Sequence, residues 1–74
     1  MSEIEEIVKL ARAVESNPDY VGVLSTGERI VVALLFNRID WLPEGYTNVL
    51  DGIARLGETW FVAVLAAHQI GWRS

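Results

Sequence analysis

His68 is the only histidine of the 74-residue chain, and Asp40, Asp51, Ser25 and Thr26 complete the short list of side chains that could do chemistry. A histidine works as a general base when a carboxylate orients it and a nucleophile lies within hydrogen-bond reach. This one sits between Ala67 and Gln69 at the end of an apolar run, the setting of a structural or partly exposed histidine rather than a base. Asp40 and Asp51 could be imagined as a carboxylate pair, but nothing in their spacing brings them together. Ser25 and Thr26 stand directly before Gly27-Glu28, which fits helix capping better than nucleophilic attack. No Cys, HExxH, GxGxxG or P-loop spacing occurs, so the usual signals for a thiolate, a catalytic zinc or a nucleotide are missing. One histidine with scattered carboxylates, and no EF-hand spacing, reads as solvated charge rather than a metal site. The expectation is a non-enzymatic chain without catalytic, cofactor-binding or metal-binding residues.

Charge and composition point the same way. Ten acidic against six basic side chains give a net charge of −4, with a pI near 4.7. That balance is wrong for a protein whose main business is neutralising phosphates, and it suits a soluble protein or one that meets a basic partner surface. A hydrophobic fraction of 51% argues for a folded core rather than disorder. Without cysteine there is no disulfide framework, and the acidic start MSEIEEIVKL does not read as a signal peptide, so the cytoplasm is the expected compartment. The longest apolar runs, 30–36 and 60–67, fall well short of the roughly 20 residues that span a membrane.

These residues must be carried by local structure, and most of the chain reads as helix within one domain, 1–74. Over residues 2–15, Ile4, Ile7, Val8, Leu10, Ala11 and Val14 share one face, and Ser2 with Glu5 has capping-box spacing. Asn17-Pro18-Asp19 ends that helix, because Pro18 disfavours helical geometry in the residue before it. The middle is ambiguous. Residues 20–36 could form a β-hairpin turning at Gly27, favoured by Ile30-Val31-Val32, which would make the chain α+β. Ser25-Thr26-Gly27-Glu28 has capping-box spacing, however, and the 12-residue stretch that follows is helix length, so a helix over 27–39 is preferred. Asp40 to Tyr46 is a loop punctuated by Pro43 and Gly45. A third helix runs from Tyr46 or Thr47 to Leu56, with Val49, Leu50, Ile53, Ala54 and Leu56 on one face and Gly57 as its left-handed C-terminal residue. The last helix covers about 58–70, closed by Gly71. The fold class expected is all-α, a small single-domain bundle of about four helices.

Segments 28–39 and 59–70 are apolar nearly all round, and such helices are normally buried on most sides. In 59–70, Trp60, Phe61, Val64 and Leu65 make a bulky arc, Ala63, Ala66, Ala67 and Ile70 a small-residue arc, and Glu58 with Gln69 a narrow polar strip. Either this helix is the centre of the bundle, or 74 residues cannot wrap two such helices and the alanine arc meets a second copy in a homodimer. Residues 47–70 also look like the helix, glycine turn and helix of a DNA reader, the alternative being a helix-turn-helix-like transcriptional regulator. Its second helix would begin Thr59-Trp60-Phe61-Val62, which offers almost nothing to a base edge, so nucleic acid is disfavoured.

What remains is binding to protein. Three Trp are many for this length, and Trp and Tyr are favoured at interface hot spots. The stretch STGERIVVALLFNRIDWLPEGYT followed by IARLGETW resembles small bacterial or bacteriophage proteins, a likeness that carries no site residues. The reading is a small acidic interaction module, of the phage or mobile-element type that modulates or inhibits a host complex, acting alone or as a homodimer. Trp41, Tyr46, Ala63, Ala66, Ala67, Ile70 and Trp72 are the candidate residues for a partner or dimer interface.

Overall fold

A computed structural model describes residues 3–72. It has four α-helices, α1 (Glu3–Ser16), α2 (Thr26–Leu35), α3 (Val49–Leu56) and α4 (Glu58–Gln69), with short 3-10 helices at Pro18–Val23 and Ile39–Trp41. No strand occurs among the described residues, so the fold is the all-α bundle and the hairpin alternative falls away. The Ser2 cap lies outside the described residues.

Each helix starts or stops for a local reason. Glu3, Glu5 and Glu6 occupy the first turn of α1, where the helix dipole stabilises negative charge. Beyond its end, Asn17 is extended and its Oδ1 accepts the Asp19 N–H at 3.3 Å, while Pro18 presets the first turn of the 3-10 helix. The box at Ser25 forms as its spacing predicts. The Glu28 N–H donates to Ser25 Oγ (3.3 Å) and the Ser25 N–H to Glu28 Oε1 (3.0 Å). That start, together with burial, makes a helix of Ile30-Val31-Val32 despite their β preference.

The expected run to Ile39 ends early, at Leu35. Asn37 takes φ 55°, the left-handed region that asparagine enters more readily than other non-glycine residues. The Asn37 N–H donates to the Leu34 carbonyl (3.3 Å) and the Arg38 N–H to the Ala33 carbonyl (2.9 Å). These two bonds are the Schellman closure of a helix end. Gly57 both ends α3 and starts α4, at φ 82° and ψ 168°. Its φ is positive, but its extended ψ is not the left-handed helical value expected from the sequence. This region of backbone space is nearly exclusive to glycine.

α2 is the hub. Ile30, Val31, Val32 and Ala33 are four consecutive buried residues, which a helix reaches only when it is covered on every side. α1, α3, α4 and the Ile39–Trp41 turn all pack on it. α1 contributes Ile7, Ala11 and Val14, spaced four and three apart. α3 approaches through Gly52, where a Cβ would stand 3.2 Å from Ile30 Cγ2. That close approach sets which face of α3 turns inward. Val49, Gly52, Ile53 and Leu56 are buried or half-buried, and Leu50 and Ala54, expected on the same face, point to solvent.

The alanine side of α4 meets its own chain. Ala63 and Ala67 join Val64, Ile7 and Val31 in one buried cluster, with Trp60 and Leu56 at its edge. The described residues enclose this cluster within one chain. The accessible surface is 4764 Å2, against about 4,600 Å2 for a compact monomer of this mass.

Substitutions at two positions test the helix ends. Gly57→Ala introduces no clash, since a Cβ there meets nothing within 4 Å, so its cost is conformational, about 1–3 kcal/mol by chemical denaturation. Asn37→Ala costs about 1 kcal/mol, and Asn37→Gly does not destabilise, because only glycine adopts the required φ freely.

Candidate interaction surface

The aromatic residues divide between core and surface. Phe36 lies 5.2 Å from the ring of Trp41 and 5.3 Å from that of Trp72, both tilted. These separations and tilts suit aromatic pairs. Trp72 is only 7% exposed, and its carbonyl accepts from Arg12 Nη2 at 3.2 Å. Trp41 is half-buried in the same cluster, its carbonyl accepting from Arg29 Nε at 3.2 Å. Tyr46 is half-buried against Ile30, Ala33 and Leu42. These three candidates therefore fasten the loop 36–48 and the chain end to the bundle.

At the surface of that loop, Arg38 donates two hydrogen bonds to the Asp40 carboxylate, at 2.9 and 2.8 Å. Its guanidinium also lies 4.7 Å from the Trp41 ring centre, within cation–π range. The paired hydrogen bonds hold the Asp40 carboxyl below its ordinary pKa. Asp40 is thus committed to its neighbour rather than to Asp51, which is exposed on α3. Ser25 is committed to its cap. His68 is exposed near the end of α4. Among the described residues no three His, Cys, Asp or Glu side chains cluster as metal ligands would.

Apart from the singly exposed Val23, Ile39, Leu50 and Ile70, two surface features are extended. One is an open groove of about 500 Å3 between α1 and the N-terminal half of α2, reaching Leu56 and Trp60. Its rim carries Glu6 and Glu28 alongside Lys9 and Arg55, so it favours neither sign of charge. The other is the outer face of α4. Val62 is 54% exposed and Leu65 44%, with Phe61 and Ala66 half-buried beside them. Glu58 at one end and Gln69 at the other are exposed and polar. Positions 58, 61, 62, 65, 66 and 69 lie on one side of a 3.6-residue helix, so four apolar side chains form a continuous strip between polar ends.

Protein-family models, curated proteins and solved structures yield no match to this chain. The surface must be read from its own geometry.

Of the residues the sequence nominates, Ala63 and Ala67 are buried within the chain, Ala66 is half-buried at the strip's edge, and Ile70 is exposed just past the end of α4. Phe61, Val62 and Leu65 are not among the residues that the sequence nominates. Their signal was the polar strip itself: the residues between Glu58 and Gln69 at helical spacing share its face, and they are apolar.

The Asp40 geometry is checked by an NMR titration of its carboxylate. A pKa lowered on folding adds stability above the unfolded-state pKa and loses it as pH falls through the folded one. The midpoint is expected below that of an ordinary carboxylate, and Arg38→Gln should return it to the ordinary range.

Proposed function

We propose that the protein is a non-enzymatic, cytoplasmic interaction module that presents the outer face of α4 to another protein surface. The observation that carries this reading is the exposed Val62–Leu65 pair with Phe61 and Ala66 beside it. A helix face in a monomer is normally polar where it meets water, and an apolar patch rimmed by polar residues marks a binding site. Phe61 supplies the aromatic anchor that interfaces favour. An apolar helix face of this kind on an acidic domain suits a modulator or inhibitor that covers a site on a larger complex, of the kind phages and mobile elements encode.

The DNA-reading alternative receives less support. A helix-turn-helix joins its helices by a turn of about three to four residues, whereas Gly57 alone separates α3 from α4. The exposed or half-buried side chains of α4 away from its buried alanines include Glu58, Thr59, Phe61, Val62, Leu65, Ala66, His68 and Gln69. Only Gln69 has the amide donor and acceptor pair that reads an adenine edge, and Glu58 repels phosphate.

A photo-crosslinking residue placed at Val62 and, as a control, at exposed Glu15 on α1 tests the reading in cells that make the protein. Crosslinked product is expected from position 62 and not from 15. Equal labelling, or none from 62, would remove the α4 face as the binding site.

A further inference from the structure

We draw no further inference here: the strongest candidate, the open groove between α1 and the N-terminal half of α2, sets Glu6 and Glu28 against Lys9 and Arg55 on its rim, and nothing in the structure shows what covers it.

Discussion

The burial of α2 on all sides is the constraint on which the structure depends. Ile30, Val31, Val32 and Ala33 leave the middle of that helix no face for water, so three other helices and a turn must be brought around it by a chain of 74 residues. Small residues make this possible. Gly52 lets α3 sit close to Ile30, and Ala63 and Ala67 let α4 reach Val31 and Ile7. The same economy has a consequence for function. Once Ala63 and Ala67 of α4 face the core, no described element covers the opposite side, which carries Phe61, Val62 and Leu65.

The connections are held by equally local devices. A capping box starts α2, a left-handed asparagine closes it, and one glycine in a backbone region closed to other residues bends α3 into α4. The Phe36, Trp41 and Trp72 rings then tie the loop and the chain end to the bundle. Aromatic residues that look like binding hot spots in a sequence thus act as fasteners here. In so small a domain, large rings are among the few groups able to anchor connections that have no helix of their own.

How far the sequence carried the fold depended on the range of the forces involved. The capping box at Ser25, the inward face of α1 and the stop at Pro18 are set by neighbours three or four residues apart, and all were readable. The end of α2 was placed too late, because Asn37 acts through a backbone conformation that its residue type permits but does not demand. The inward face of α3 was turned slightly wrong, since Gly52 scores as neutral on a helical wheel yet marks the closest approach. Residues 59–70 were the hardest. A segment apolar on both sides does not reveal which side the core takes, and the bulky arc and the alanine arc both proved to be divided between inside and outside. The choice of α2 over α4 as the central helix is made by packing among four helices, which no periodicity within one segment contains.

Inside and outside of α4 can be told apart by one comparison, thermal unfolding of Ala63→Glu and Val62→Glu at low micromolar concentration, where self-association contributes little. A carboxylate forced into the core without a partner costs several kcal/mol, against a total stability of roughly 4–11 kcal/mol for a chain this long. Ala63→Glu is therefore expected to unfold or to lose tens of degrees in Tm, while Val62→Glu melts close to wild type. A folded Ala63→Glu beside an unfolded Val62→Glu would mean that α4 is turned the other way, and the account of both its core and its binding face would fail.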